Sequence, residues 1–198
     1  MFSKEPINSL ADLNGKKVAG AGYNLRYLEG IDGAAGVRGG LPNFYNMIQT
    51  GVVDAAMLWP EAAKTFKIAE VAPYMLKVDL GAVNSKTVTV NKDIWKKLPQ
   101  EVKDVLKKVA VEYRDHIAGI AMDRAGASLK AYQAGGGTVI TLSSEARAAW
   151  AKSMPNISID WAQKLDTQGA PGTAMLKAYT AKLKAAGEIP VRDWASEL

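Results

Sequence analysis

The residues able to do covalent or metal chemistry are few and scattered along the chain. There is no cysteine and a single histidine, His116. Without cysteine there is no thiolate nucleophile, disulfide framework or thiolate metal site. A transition-metal site would need a tight cluster of carboxylates, and the sequence has none. No Gly-x-Ser-x-Gly elbow accompanies His116, so a serine nucleophile has no support. The sequence predicts a protein that is not an enzyme and carries no metal or cofactor.

Phosphate binding is a second chemistry that the spacing of glycines does not support. Gly20-Ala21-Gly22 is followed directly by Tyr23 and Asn24, which breaks the Gly-x-Gly-x-x-Gly dinucleotide pattern. No Gly-x-x-x-x-Gly-Lys-Ser/Thr segment is present either. Glycines that permit turns explain this stretch more simply.

Composition and charge narrow the class of protein further. The 198 residues include 25 Lys+Arg and 20 Asp+Glu, and 48% of them are hydrophobic, which is typical of a globular domain rather than a disordered chain. The basic residues form no face interleaved with aromatics, so nucleic acid is not an expected partner. No apolar run reaches the roughly 18 residues of a membrane-spanning helix. The first residues lack the basic and apolar regions of a secretory signal peptide.

The elements that would position a site alternate between strands and helices, which predicts an α/β layered fold. Alternating or continuous apolar runs predict strands at 16–21, 52–58, 86–91 and 139–142. Periodic patterns with capping residues, such as Asn43 and Ser143, predict helices at 43–50, 61–71, 143–150, 161–165 and 172–186.

The strongest pattern predicts one long helix from Pro99 to about Ala134. Apolar residues recur every three or four positions from Val102 to Ile120, and three glycines at 135–137 end the pattern. Such a helix would be about 50 Å long. That length suits a strut that connects two lobes.

Four motifs in order give the chain a family resemblance. They are PINSLADLNGKKV at 6–18, Y-x-x-x-QTGVVD at 45–54, AEVAPY at 69–74, and VNKDIW-x-x-LP at 90–99. Together they resemble the DctP-like solute-binding proteins of tripartite ATP-independent periplasmic (TRAP) transporters. The resemblance covers roughly residues 3–135.

The resemblance implies a periplasmic-binding-protein-like, two-lobed α/β architecture that is incomplete here, with a long helix bridging the lobes. Residues 1–90 would form mostly the second ligand-binding lobe with its crossover strands. Residues 91–198 would form the bridging helix and C-terminal helices that pack on the lobes. Family members are periplasmic and carry a signal peptide and over a hundred residues of a first lobe before the first motif. We expect both to be absent from this chain.

The implied function is the extracytoplasmic solute-binding component of a TRAP-type secondary transporter. It would bind a small organic acid and deliver it to the membrane permease subunits. The alternative is a truncated, non-transporting fragment that acts as a structural or interaction domain. In either case two copies could form a homodimer through the surface left by the missing lobe.

The resemblance also directs attention to arginines. Family members usually have an arginine after Gly-Lys-Lys-[Ile/Val], and it binds the ligand carboxylate through two hydrogen bonds. Here Ala19 occupies that position. Arg26 and Arg38 are the candidate replacements, since a planar guanidinium matches a carboxylate bidentately. The alternative for each is an ordinary surface arginine.

The resemblance places the other candidate ligand contacts in the turn after the first predicted strand, in the apolar wall of the pocket, at a hinge position and in the strand region of the second crossover. Loss of the usual arginine together with the presence of Trp59 predicts a monocarboxylate with an apolar or aromatic body. The competing interpretations are turn capping for Asn24, core packing for Leu41 and a buried structural role for Trp59. The other four tryptophans are expected in the core. The candidates beside the arginines are Tyr23, Asn24, Leu41, Trp59, Asn84 and Ser85.

Overall fold

A mixed six-stranded sheet forms the centre of the computed structural model, which describes residues 1–81 and 88–198. The strands lie in the order β3-β2-β4-β1-β5-β6. Their bounds are β1 (Phe2–Ser3), β2 (Lys17–Gly20), β3 (Ala35–Arg38), β4 (Ala55–Ala56), β5 (Tyr74–Lys77) and β6 (Thr138–Thr141).

Five of the six strands run in the same direction. β2 is parallel to both β3 and β4, and β5 is parallel to β6. The short β1 lies antiparallel between β4 and β5 and joins the two parallel groups. The carboxyl ends of β2 to β6 therefore lie at one edge of the sheet, which we call the carboxyl edge, and their amino ends at the opposite, amino edge.

Seven α-helices surround the sheet within the described residues. They are α1 (Phe44–Gln49), α2 (Pro60–Thr65), α3 (Lys92–Lys97), α4 (Gln100–Ala134), α5 (Ser144–Ser153), α6 (Ile157–Thr167) and α7 (Gly172–Ala185). Short 3₁₀ segments lie between them, and the one at Gly22–Leu28 follows β2. No described helix is both long and apolar enough to cross a membrane.

Successive strand residues point to opposite faces of the sheet, which creates two cores. On one face, Val18 and Leu76 pack with Trp150 of α5. On the other face, Ala19 packs with Phe44 of α1 and other apolar side chains. A third, small cluster lies between α6 and α7. Helices thus cover both faces, which confirms the predicted α/β class.

The long helix is confirmed, and its two ends differ in environment. Near its C-terminal end, the hydroxyl of Tyr132 donates a hydrogen bond to the carbonyl of Ala72 at 3.0 Å, and its ring meets Phe2 edge-on at 5.4 Å. Towards the other end, apolar side chains such as Leu106 and Val109 are 42% and 50% exposed. The apolar stripe that predicted the helix is therefore largely uncovered by the described residues.

Other predicted elements are shorter than expected. The strand expected at 52–58 is reduced to β4, and the helix expected at 61–71 ends at Thr65. Lys67 then adopts a left-handed conformation (φ 53°), which separates α2 from a 3₁₀ turn at Ile68–Glu70. Asn43 makes no capping hydrogen bond, whereas the Ser143 hydroxyl accepts one from the Ala146 amide.

Some predictions fall outside the described residues or are wrong. Asn84, Ser85 and the first two residues of the strand expected at 86–91 lie outside the described residues, and the described residues 88–91 form no strand. Trp150 is fully buried as predicted, but Trp161 is 44% exposed, so its predicted place in the core is wrong. The division at residue 90 remains a prediction, although β6 pairs with β5 within one sheet.

Candidate functional site

The candidate site lies at the carboxyl edge, where three connections leave the sheet side by side. The amide of Gly39, just after β3, donates to the carbonyl of Gly20 at 3.2 Å. The amide of Met57, just after β4, donates to the carbonyl of Ala19 at 2.8 Å. Adjacent strands are about 4.8 Å apart, so residues that follow β2, β3 and β4 can contact one small molecule. The carboxyl ends of parallel strands are the usual position of ligands in open α/β sheets.

The connection after β2 is a seven-residue 3₁₀ segment, Gly22–Leu28. Two glycines let this segment lie directly on the sheet. A Cβ at Gly20 would be 2.6 Å from Cδ2 of Leu25, and one at Gly36 would be 3.1 Å from the same atom. Because glycine leaves that space open, Leu25 packs flat against β2 and β3.

Two of the predicted contacts lie at the start of this segment. The Tyr23 side chain is 66% exposed. Asn24 is buried, and its Nδ2 donates a long, 3.5 Å hydrogen bond to the carbonyl of Met57. Asn24 therefore connects the turn after β2 with the residues that follow β4, which supports its structural interpretation, while its ligand role stays a prediction.

Arg26 lies one turn further along and has internal carboxylate partners. Its guanidinium is 3.2 Å from the Glu29 carboxylate and 3.7 Å from Asp160 of α6. Its Nε is buried and makes no hydrogen bond with the described residues. The charge of Arg26 is thus largely balanced within the protein.

Arg38 is differently placed, at the last residue of β3 opposite Gly20. Its side chain is exposed, and it forms no ion pair with any of the described residues. Gly36, Gly39 and Gly40 flank it. Of the two predicted arginines, Arg38 has the charge that is available to an anion at the carboxyl edge.

Leu41 and Trp59 provide apolar surface at the same edge. Leu41 is half-buried against the core that contains Phe44. Trp59 directly precedes α2 in an extended conformation (ψ 159°), and Pro60 begins the helix. Because Trp59 is 44% exposed, the interpretation of this residue as a buried structural tryptophan is wrong.

Ala19, at the position where the resemblance implies an arginine, is fully buried. It lies in β2 between Val37 of β3 and Ala56 of β4 and packs in the core with Phe44. Core packing fills this position, so a carboxylate-binding charge must come from elsewhere.

Sequence reasoning missed one titratable group near the carboxyl edge because it did not predict β1. The amino group of Met1 donates to the carbonyl of Leu76 at 2.9 Å. Burial lowers the pKa of this amino group to about 5, against an opposing effect of the Asp79 charge. No signal in the sequence pointed to this group, since two residues are too short for a pattern.

The cavities at the amino edge fit a carboxylate less well. One of about 200 Å³ is lined by Leu10, Ala11, Asn14, Gly30, Ile31, Asp32 and Ser153. It offers a carboxylate and no cation. A second, of about 50 Å³, includes Lys4 and Lys16, but Glu5 and Asp54 balance them. Within the described residues, no group of three or more histidines and acidic side chains could hold a metal ion.

Comparison with known proteins identifies the fold as that of a solute-binding protein. The family described as bacterial extracellular solute-binding protein, family 7 (DctP), matches residues 1–164. The C4-dicarboxylate-binding periplasmic protein DctP of Rhodobacter capsulatus is 33% identical over 139 residues, 70% of this chain and 40% of that protein. The chain therefore belongs to the DctP family of TRAP solute-binding proteins, and it spans less than half the length of this relative.

Solved structures share the fold at lower identity. The ectoine-binding protein of the TeaABC TRAP transporter of Halomonas elongata matches with a TM-score of 0.74 at 22% identity, over 93% of this chain and 59% of that one. A Desulfovibrio salexigens TRAP solute-binding protein with bound orotic acid matches with a TM-score of 0.69 at 21% identity, over 90% and 57%. These matches confirm a periplasmic-binding-protein-like α/β fold, present in part in this chain.

Proposed function

We propose that this chain forms a ligand-binding part of an extracytoplasmic TRAP solute-binding protein, which binds a small organic acid and delivers it to the membrane permease. One observation carries the proposal. Arg38, without a carboxylate partner among the described residues, lies at the same sheet edge as the exposed Trp59 and Tyr23. An available guanidinium beside aromatic surface suits a carboxylate with an apolar or aromatic body.

The ligands named for the relatives are compatible with this chemistry. The Rhodobacter protein is named for C4-dicarboxylates, and the Desulfovibrio structure holds orotic acid. A Sulfitobacter TRAP solute-binding protein, 22% identical with a TM-score of 0.65 over 80% of this chain and 52% of that one, holds β-D-galacturonate. Each is an organic acid. Ala19 in place of an arginine, together with Trp59, favours an aromatic monocarboxylate over a short dicarboxylate here.

The residues have separate roles in this proposal. Arg38 binds the carboxylate through two hydrogen bonds, and Trp59 stacks on the ligand body. Tyr23 and Asn24 provide polar contacts from the 3₁₀ segment, and Leu41 forms an apolar wall. Arg26 remains a secondary candidate because it must first leave Glu29 and Asp160. Asn84 and Ser85, outside the described residues, remain predicted contacts from the second crossover.

The exposed stripe of α4 supports the proposed two-lobed organisation. Val105, Leu106, Val109 and Tyr113 are all between 42% and 59% exposed on one helix, and such a stripe needs an apolar surface to cover it. We assign that surface to a first lobe, since the chain spans 40–44% of the two curated relatives. Pairing of two copies through the same stripe is the alternative.

A comparison of two acids tests the proposal. We expect orotate to bind more tightly than succinate and to raise the melting temperature, since a ligand at a hundred times its dissociation constant adds about 2.7 kcal/mol of stability. Trp59→Leu should weaken orotate and leave succinate little changed. Trp161→Leu is the matched control, because Trp161 is also 44% exposed but lies on α6.

Two results would contradict the proposal. Tighter binding of succinate than of orotate would overturn the aromatic preference. A cooperative melt that neither acid shifts would instead favour a fragment that acts as a structural or interaction domain. Sedimentation of the same sample would show whether two copies pair. A dimer would favour a second copy, and a monomer a first lobe, as the surface that covers α4.

A further inference from the structure

The 3₁₀ segment that carries Tyr23 and Asn24 is joined to α5 by a hydrogen bond. The indole Nε1 of Trp150 donates to the carbonyl of Tyr27 at 2.7 Å, across 123 residues of sequence. Trp150 itself is fully buried and packs in the core with Val18 and Leu28. The indole is therefore a fixed donor, since the surrounding core holds its ring in place.

A second contact joins the same two elements just after the segment ends. Gly30 has a left-handed conformation (φ +88°), and a Cβ there would be 1.9 Å from the carbonyl oxygen of Ser153, the last residue of α5. The chain at Gly30 thus touches the end of α5 through backbone atoms alone. α5 therefore contacts this connection at two points, at Tyr27 within the segment and at Gly30 just after it.

A third contact comes from α6, where Asp160 lies 3.7 Å from the Arg26 guanidinium. Both partners are more exposed than Trp150, so this ion pair is weaker than the hydrogen bond from the Trp150 indole. The unusual length of the segment increases the importance of these contacts, because 3₁₀ runs beyond three or four residues are uncommon. Without outside support, we expect a seven-residue 3₁₀ segment to change conformation readily.

We propose that Trp150 is a positioning residue for the carboxyl-edge site: through the Tyr27 carbonyl, it holds Gly22–Leu28 in the conformation that presents Tyr23 and Asn24. The ligand-binding role of the site rests on the proposed function. The effect of Trp150 on the conformation of Gly22–Leu28 does not depend on any ligand. Trp150 lies on the sheet face opposite to Phe44 and Tyr132 and acts from beneath the segment without touching a bound molecule.

Hydrogen exchange of the acid-free protein tests the positioning. Trp150 replaced by 3-benzothienylalanine keeps the ring shape and removes only the N–H donor. We expect amides of residues 22–30 to exchange at least about fivefold faster, because the partly buried Tyr27 carbonyl loses its donor. Tyr132→Phe is the matched control, since it removes a buried hydroxyl donor to the Ala72 carbonyl on the other face. It should leave residues 22–30 unchanged.

A second variant, which should disturb the fold less, tests the support of the same segment. Asp160→Asn removes only the exposed ion pair with Arg26, and we expect a smaller increase of about twofold in exchange, confined to the same segment. Unchanged exchange at 22–30 in the Trp150 replacement, or a rise spread evenly over the sheet, would overturn the proposal. Orotate titration of the unmodified protein separately tests the proposed function, so either can fail without the other.

Discussion

The two edges of the sheet use their polar side chains in different ways. At the amino edge, Asp54 accepts a hydrogen bond from the Lys17 amide at 2.8 Å, and Lys16 pairs with Glu5. Asp12 accepts from the amides of Asn8 and Ser9. At the carboxyl edge, the described residues give Arg38 and Trp59 no such partners.

This difference indicates that the polar side chains of one edge serve folding and those of the other are available for binding. The charged groups of the amino edge form hydrogen bonds and an ion pair within the connections that lead into the strands. The guanidinium of Arg38 and the rings of Tyr23 and Trp59 stabilise little within the described residues. Groups that contribute little to stability and lie together at strand ends are candidates for binding. Changes to the paired charges of the amino edge should therefore affect stability, and changes to Arg38 or Trp59 should affect affinity.

The largest predicted effect concerns the Met1 amino group near the carboxyl edge. Its pKa in the folded chain is lowered from 8.0 to about 5 by burial, so the unfolded chain binds more protons between these values. For a polypeptide that begins at Met1, the free energy of unfolding should fall as pH drops from 8 to 5, by about 4 kcal/mol. Urea unfolding at several pH values measures this. An acetylated amino group should abolish the dependence, and equal slopes for both forms would contradict it.

The next effect is on affinity. Arg38→Gln removes the available guanidinium, and we expect orotate to bind about 10–100-fold more weakly, as for loss of a hydrogen bond to a charged group. The free energy of unfolding should change by less than about 0.5 kcal/mol. Calorimetric titration and urea unfolding give the two quantities. Arg124→Gln, on an exposed part of α4, is the control, and equal losses in both variants would rule out a specific role for Arg38.

At the amino edge, we expect a substitution to change stability and to leave affinity unchanged. Asp54→Ala leaves the Lys17 amide without its acceptor and should lower the free energy of unfolding by about 1 kcal/mol. Orotate affinity should stay within a factor of two, because Asp54 precedes β4 at the far edge. If affinity fell with stability in this variant, the separation of the two edges would be wrong.

The smallest predicted effect is on stability at low pH and also concerns the amino edge. Backbone hydrogen bonds from Asn8 and Ser9 lower the pKa of Asp12 below its ordinary 3.8. The stability that this carboxylate contributes is present above the unfolded pKa and is lost as pH falls through the folded pKa. In Asp12→Asn, the free energy of unfolding should therefore depend less steeply on pH below about pH 4. A parallel pair of acid-unfolding curves would contradict this prediction.

The sequence predicted the elements whose patterns are long. The 35-residue α4 was expected from its period and its glycine stop, and it begins and ends almost where predicted. The two-residue strands β1 and β4 are defined by pairing with distant strands rather than by a pattern of their own. β3, with alanine and glycine, also lacks an apolar signature and was missed. Tertiary pairing decides such elements.

The ligand roles of the candidate residues stay predictions. Of the residues that the resemblance singles out, Tyr23, Arg38 and Trp59 lie at one edge of the sheet. The resemblance could not reveal that Arg26 is balanced by Asp160, since that contact joins residues 134 positions apart. Nor could it reveal the bond from Trp150 to Tyr27. Long-range partners of this kind depend on how α5 and α6 pack, which no local pattern encodes.

Mapping of orotate on the chain by two-dimensional NMR tests the central claim most directly. As orotate is added, we expect backbone amide shifts to move at residues 20–24, 38–41 and 57–59, which lie at or just after the carboxyl ends of β2, β3 and β4. Amides at 12–16 and 53–55, along the amino edge, should stay in place. Movement confined to the amino edge, or no movement at the carboxyl edge at millimolar orotate, would contradict the assignment of the binding site.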